Sequence, residues 1–220
     1  MQSQLFMPMD IYCERLNIGF WAEPFNAISN ISFFLAAWFA WRLARDKKCT
    51  NSFEVWALIS LITIIGIGSF LFHTLALRWT MYADMIPIFV YQSLFLTFYM
   101  LKVARFSPLV AAYYFVVFVI ASHEVNMMRV DWLNGSVTYA IALLFIVGMG
   151  IYHWWTNKKA PYTLLVASGI FIVSLTFRSL DFAVCEYVSI GTHLIWHILI
   201  GVVLYLTASA YIANLPSSSK

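Results

Sequence analysis

The chain has 220 residues, of which 62% are hydrophobic and 10% are charged. Because soluble domains carry about a quarter charged residues, this composition excludes a soluble globular protein and indicates an integral membrane protein. The formal net charge of +3 is small and restricted to loops, so nucleic-acid binding is not expected.

The chain begins with a polar and aromatic segment, residues 1–24, which lacks the basic start and apolar core of a signal peptide. The carboxylates of Asp10, Glu14 and Glu23 lie in this segment together with the amide of Asn17. Such an oxygen-rich set suits calcium, which takes six to eight oxygen ligands. An acidic, solvated loop is the alternative, and the residues alone leave both interpretations open.

Seven apolar runs follow, each near the length that a bilayer requires. We place them at residues 25–43, 55–77, 84–103, 108–122, 133–155, 161–177 and 190–212. The sequence therefore predicts an all-α membrane protein, a seven-transmembrane helix bundle over residues 25–214. Residues 215–220 are expected to be a disordered tail.

Basic residues are concentrated in the loops on one side of the predicted bundle. That side carries eight of them between the spans, against four on the other side, among them Arg129. The eight are Arg42, Arg45, Lys47, Lys48, Lys102, Arg105, Lys158 and Lys159. Because cytoplasmic loops are enriched in Lys and Arg, we expect the N-terminus outside and the C-terminus in the cytoplasm.

Three histidines lie in the apolar runs at one expected depth. His73 ends the second span, and His193 and His197 share a helix face at the start of the seventh. Titratable groups inside a membrane are costly, so three at one level indicate a function rather than three isolated core histidines. They suit a zinc site with a fourth position open for water. His123 and His153 have no such partners, and we interpret both as interfacial.

Two further polar residues fall in the same outer layer. Ser69 lies one turn before His73, and Asp84 starts the third span. A carboxylate there suits a general base for water, whose pKa zinc lowers from 15.7 to about 7, and a hydroxyl suits an oxyanion partner. The alternatives are that Ser69 bonds back to a helix carbonyl and that Asp84 only caps its helix.

The remaining polar residues of the spans and outer loops have simpler interpretations. Asn26, Ser29 and Asn30 are expected to form hydrogen bonds between helices. The outer-loop charges are expected to be solvated, and they are Glu124, Arg129, Asp131, Arg178, Asp181 and Glu186. The three cysteines, Cys13, Cys49 and Cys185, show no C-x-x-C spacing, so no disulfide or cysteine–metal framework is expected.

Together these motifs resemble the alkaline ceramidase family, a group of seven-span membrane hydrolases, and in particular its compact bacterial members. The match consists of Gly68-Ser69-x-x-x-His73, Asp84-Met-Ile-Pro87 and His193-x-x-Trp-His197. An N-terminal Tyr12-Cys-Glu14 and a later Trp21-Ala-Glu23-Pro-Phe-Asn26 also resemble that family. The motifs occur in family order and extend over essentially the full chain.

The resemblance implies zinc held by His73, His193 and His197, with Ser69 and Asp84 catalytic. It also implies a calcium site in the N-terminal segment, which would fall on Asp10, Tyr12, Glu14, Asn17 and Glu23. Two of these residues, Asp10 and Asn17, are displaced by one position from the family pattern. The acid pair of the family is reduced here to Asp84 followed by Met85.

We therefore expect a zinc-dependent membrane amidase that hydrolyses the amide of ceramide, or of a related N-acyl lipid, to a sphingoid base or lipid amine and a fatty acid. A seven-span receptor or sensor with a structural metal is the alternative. A transporter is disfavoured because the inner halves of the spans carry almost no ionisable groups. In a bacterium the protein would lie in the inner membrane, with its active site toward the periplasm.

Overall fold

The computed structural model describes residues 2–128 and 133–216 of the chain. In this described part, seven helical segments are long and apolar enough to cross a membrane, which confirms the predicted seven-span helical fold. The helices, in chain order, are α1 (Gln2–Leu5), α2 (Pro24–Ser29), α3 (Ile31–Asp46), α4 (Phe53–Leu75), α5 (Arg78–Phe98), α6 (Pro108–Met127), α7 (Ala140–Trp155), α8 (Thr163–Leu180) and α9 (His193–Asn214).

Three crossings are built from more than one helical piece. The first consists of α2 and α3 in succession, and the third is α5 extended by a π-helical turn, Tyr99–Val103. The fifth is a 3-10 turn, Ser136–Tyr139, followed by α7. The third crossing begins at Arg78, earlier than the predicted start at Asp84. Thr80 makes this earlier start favourable, because its hydroxyl accepts the backbone N–H of Leu77 at 3.0 Å. Asp84 is therefore inside the helix and is not its N-cap.

The last helix, α9, lies at the centre of the bundle. It packs against α3, α4 and α8, whereas α6 lies at the edge beside α5 and α7. One close approach on the α3 side depends on Gly201, since a Cβ there would lie 2.8 Å from Cβ of Ser32. The central position of α9 means that its first turn faces the ends of several neighbouring helices.

A second close approach joins α4 to α5. A Cβ on Gly68 would overlap the carbonyl oxygen of Ala83 and would lie 3.1 Å from the backbone nitrogen of Asp84. Only glycine fits between the two backbones without a shift of one helix. The contact sets the separation of the adjacent residues Ser69 and Asp84.

A disulfide joins the N-terminal segment to the loop between α8 and α9. Cys13 and Cys185 are bonded, with Cα atoms 5.6 Å apart and a sequence separation of 172 residues. The prediction that no disulfide forms is therefore wrong, because a pair so far apart leaves no spacing signature in the sequence. Cys49 is free and buried, as part of the loop between α3 and α4.

His153, which the sequence placed at the interface, has hydrogen-bond partners that the sequence did not reveal. It lies in the last turn of α7, and its side chain is buried between two hydrogen bonds. Nε2 lies 3.1 Å from the carbonyl oxygen of Lys159, and Nδ1 lies 2.7 Å from the hydroxyl of Tyr99. Since a carbonyl can only accept, Nε2 carries the proton and Tyr99 donates to Nδ1.

Some of the sequence predictions fall on parts of the chain that the structure does not describe. Arg129 and Asp131, expected in an outer loop, lie outside the described residues. The same holds for residues 217–220 of the predicted tail. Of the remaining predicted loop charges, Glu124 and Glu186 are exposed.

Candidate metal centre

The structure brings three histidines together where α4 ends and α9 begins. His73, His193 and His197 are buried, and one ligand nitrogen from each lies within 4.8 Å of the other two. Two zinc–nitrogen bonds span about 4 Å, so the cluster has the dimensions of a single-ion site. Among residues 2–128 and 133–216 it is the only group of histidine, cysteine or acidic residues with this geometry.

Two ring nitrogens of the cluster have no hydrogen-bond partner. They are Nε2 of His73 and Nδ1 of His193, and both are buried. A buried polar atom without a partner is costly, and such atoms in native proteins require an explanation. A metal ion bonded to these nitrogens supplies that explanation, so the residues fit the zinc site that the sequence predicts.

The outward nitrogens of two histidines are held by neighbouring side chains. Nδ1 of His73 lies 2.6 Å from Oε2 of Glu23, and a carboxylate can only accept, so Nδ1 carries the proton. Nδ1 of His197 lies 2.7 Å from the hydroxyl of Ser29. That hydroxyl donates to the carbonyl of Asn26 at 2.7 Å, so it accepts from His197. In both rings the unprotonated Nε2 is left to bind a metal.

Ser69 and Asp84 lie beside the histidine cluster. The hydroxyl of Ser69 is 3.4 Å from Nε2 of His197, and Asp84 lines the same cavity as Ser69, His193 and His197. Ser69 is buried and reaches the cavity from α4, while Asp84 reaches it from the second turn of α5. A carboxylate and a hydroxyl therefore face the space in front of the candidate metal ligands.

An arginine completes the wall of this cavity. Arg178 of α8 lines it, and its guanidinium carbon lies 5.4–5.6 Å from the ring centroids of Tyr12, Tyr139 and Trp196. It donates to the Tyr12 hydroxyl at 2.7 Å, and the Tyr12 ring stacks on His193 with centroids 3.7 Å apart. Burial raises the pKa of the Tyr12 phenol, so this residue stays neutral. The prediction of a solvated loop charge at Arg178 is wrong.

Asp181 also is not a solvated loop charge. It is fully buried, and its carboxylate accepts the backbone N–H groups of Thr192 and His193 at 2.7 and 2.9 Å and of Cys13 at 2.9 Å. These bonds satisfy free N–H groups at the start of α9, where a negative charge is favourable. Asp181 therefore fixes the helix turn that carries His193.

The predicted calcium ligands are engaged in other ways. Glu14 accepts the backbone N–H groups of Phe25 and Asn26 at 2.7 and 2.9 Å and so caps α2. Asp10 and Asn17 are exposed, and Tyr12 contacts Arg178. Glu23 binds Arg15 as well as His73. These contacts do not fit a calcium ion, because a guanidinium occupies the place beside the buried carboxylate.

An apolar cavity inside the bundle borders the candidate metal centre. It shares Ile88, Tyr139, Trp196 and Ile200 with the cavity at the histidines. Its deeper wall comes from residues on α5, α7 and α9, namely Phe95, Leu96, Ile146, Met149, Val203, Leu204 and Thr207. Such a cavity suits an apolar chain that extends from the polar site.

Seven apolar helices around a buried cluster of histidines define a multi-pass membrane protein with a candidate metal centre. Residues 12–218 match the Ceramidase family, nearly the entire chain, and the chain belongs to that family. The predicted resemblance is thereby confirmed, and so is the expectation of a hydrolase that acts on an amide carbon–nitrogen bond. No curated protein matches the chain.

Proposed function

We propose that the protein is a zinc-dependent amidase that hydrolyses the N-acyl amide of ceramide, or of a related N-acyl lipid, to a sphingoid base or lipid amine and a fatty acid. The observation that carries this proposal is the tautomer of His73 and His197. Each ring keeps Nε2 unprotonated, in a cluster whose ligand nitrogens lie within 4.8 Å of one another. Ser69 and Asp84 line the cavity that His193 and His197 also line. Residues 25–214 would form the hydrolase domain.

Zinc is the ion that best suits three neutral imidazoles with room for a fourth ligand. His73, His193 and His197 would hold it. When bound, it supplies Lewis-acid polarisation of a carbonyl and lowers the pKa of water. The remaining chemistry belongs to side chains of the chain itself.

Asp84 is the proposed general base and acid. Its carboxylate takes a proton from the water whose oxygen attacks the amide carbonyl carbon, and it later gives that proton to the departing nitrogen as the carbon–nitrogen bond breaks. Ser69 is placed to donate a hydrogen bond to the oxygen that becomes negatively charged. Together with the metal, they account for cleavage of an unactivated amide.

The apolar cavity supports a lipid substrate. An acyl chain in the cavity between α5, α7 and α9 would bring its amide to the level of Trp196 and Ile200, where the cavity meets the metal centre. The helix bundle is surrounded by bilayer, so a lipid would enter the cavity laterally from the membrane. The surrounding membrane and the lipid are the partners that this proposal requires.

The positions of the cysteines support an active site on the outer side. The Cys13–Cys185 disulfide lies at the end of the bundle that carries the metal centre, and the free Cys49 lies at the opposite end. Disulfides persist in oxidising compartments and free thiols in the reducing cytosol. This agrees with the basic loops, which put the N-terminus outside and, in a bacterium, the site toward the periplasm.

The test is hydrolysis of ceramides and other labelled N-acyl lipids by the purified protein in detergent. We expect fatty acid to be released, activity to disappear when zinc is stripped, and activity to return when zinc is restored. His193→Ala is expected to lose both zinc and activity. A protein that holds zinc and cleaves none of these lipids would contradict the proposal and favour a receptor with a structural metal.

A further inference from the structure

A buried arginine holds together three oxygen atoms of the N-terminal region and α4. Arg15 is 7% exposed, and its Nε donates to Oε1 of Glu23 at 2.5 Å. Nη1 donates to the carbonyl oxygen of Asn17 at 3.2 Å, and Nη2 to that of His73 at 3.1 Å. One guanidinium therefore gathers a carboxylate and two carbonyl groups from the loop and from the end of α4.

These three oxygens are ligand types that calcium also uses. A guanidinium that donates to all of them leaves no room for a second cation at the same point. The other acidic groups of the segment do not supply an alternative site. Both oxygens of Glu14 accept backbone N–H groups, and Asp10 is exposed on the surface.

Glu23 links Arg15 to the candidate metal centre. Oε1 of Glu23 accepts from Arg15, and Oε2 accepts from Nδ1 of His73 at 2.6 Å. Because both of its oxygens accept from N–H donors, Glu23 is a carboxylate fixed between a guanidinium and a candidate metal ligand.

We propose that Arg15 takes the place of a calcium ion in the N-terminal segment. Its guanidinium is the cation that positions Glu23 against His73. The segment then needs no calcium for its structure or for the metal centre. The planar guanidinium suits this task, because its donors diverge in a fixed fork and its charge does not depend on pH. The proposal concerns the metal centre itself and holds whatever lipid the protein cleaves.

The first test measures calcium binding to the zinc-loaded wild-type protein. Chelators of calcium also remove zinc, so we would use equilibrium dialysis with radioactive calcium up to ~1 mM, a range that includes weak extracellular sites. We expect no stoichiometric binding and no change in melting temperature or zinc affinity. Stoichiometric calcium that raises either quantity would overturn the proposal. This test needs no variant and no substrate.

The second test removes the guanidinium. Arg15→Ser leaves the buried Glu23 carboxylate without its cation, and we expect zinc affinity to fall roughly 10- to 100-fold, as for other residues that orient a metal ligand. Arg15→Lys keeps one charged donor and should recover part of the loss. Arg78→Ser is the matched control, because it removes the same charge at the start of α5, outside the hydrogen bonds that join Arg15, Glu23 and His73. Equal zinc affinity in folded Arg15→Ser and Arg78→Ser would overturn the positioning role.

Discussion

The hydroxyl of Ser29 lies 2.7 Å from Nδ1 of His197 and connects the first membrane crossing to the seventh. Its single proton goes to the carbonyl oxygen of Asn26, so the histidine must donate. This fixes the tautomer of His197 and the plane of its ring, with Nε2 directed toward His73 and His193. Ser29 on α2 thus orients a candidate metal ligand on α9.

Replacing Ser29 with alanine is expected to weaken zinc binding. The ring of His197 would lose the acceptor that fixes its orientation, and partners of this kind contribute about 10- to 100-fold in metal affinity. Competition with a chromophoric zinc chelator measures the change. Ser32→Ala is the control, because the hydroxyl of Ser32 contacts the backbone carbonyl of His197 at 2.9 Å but not its ring. Equal zinc affinity in the two variants would show that Ser29 does not orient the ring.

Asp84→Asn is expected to abolish most of the hydrolysis but to keep the zinc. An amide of the same shape cannot take a proton from water, and general bases contribute about 10²- to 10⁴-fold in rate. The measurements are kcat for a labelled N-acyl lipid and zinc content by elemental analysis. Asp10→Asn removes an exposed carboxylate and should leave both values unchanged. If Asp84→Asn lost its zinc, Asp84 would be a ligand and not a base.

Gly68→Ala tests whether the spacing of α4 and α5 sets the site. The added Cβ meets the backbone carbonyl of Ala83, which cannot move without a shift of α5 and of Asp84. Overpacking of this kind costs about 1–3 kcal/mol of stability, and the shift should lower kcat as well. Gly169→Ala is the control, because a Cβ there meets nothing within 4 Å. Thermal unfolding and kcat that match between the two variants would contradict the role of this contact.

Features of the sequence that repeat or cluster within one span allowed much of the fold to be predicted. Each span is a continuous apolar run, so its existence follows from the lack of partners for backbone groups in lipid. The three histidines lie on spans whose directions alternate, so topology alone brings His73 to the level of His193 and His197. The structure confirms the seven spans and brings the three rings together.

Features that depend on a single long-range contact could not be predicted. The disulfide joins residues that are 172 positions apart, and Arg178 and Asp181 look like ordinary loop charges until the ends of α8 and α9 are in place. The role of Ser29 depends on a contact 168 positions away in the chain. A charged residue at the end of an apolar span, like Arg178, is the one sequence signal of such a contact, because burial of a charged group needs partners.

The deep wall of the apolar cavity offers a test of the acyl-chain site. Val203 is 6% exposed and faces the cavity, whereas its neighbour Val202 is 40% exposed on the outer surface of α9. Val203→Phe should fill the deep end of the cavity. The metal centre should be unchanged, because His197 lies almost two helical turns away. We expect a selective loss of activity toward long acyl chains, with short chains still cleaved. Val202→Phe adds the same volume toward lipid and should keep the wild-type preference. If both variants lost activity equally at every chain length, the cavity would not be the acyl-chain site, because only a filled cavity discriminates by length.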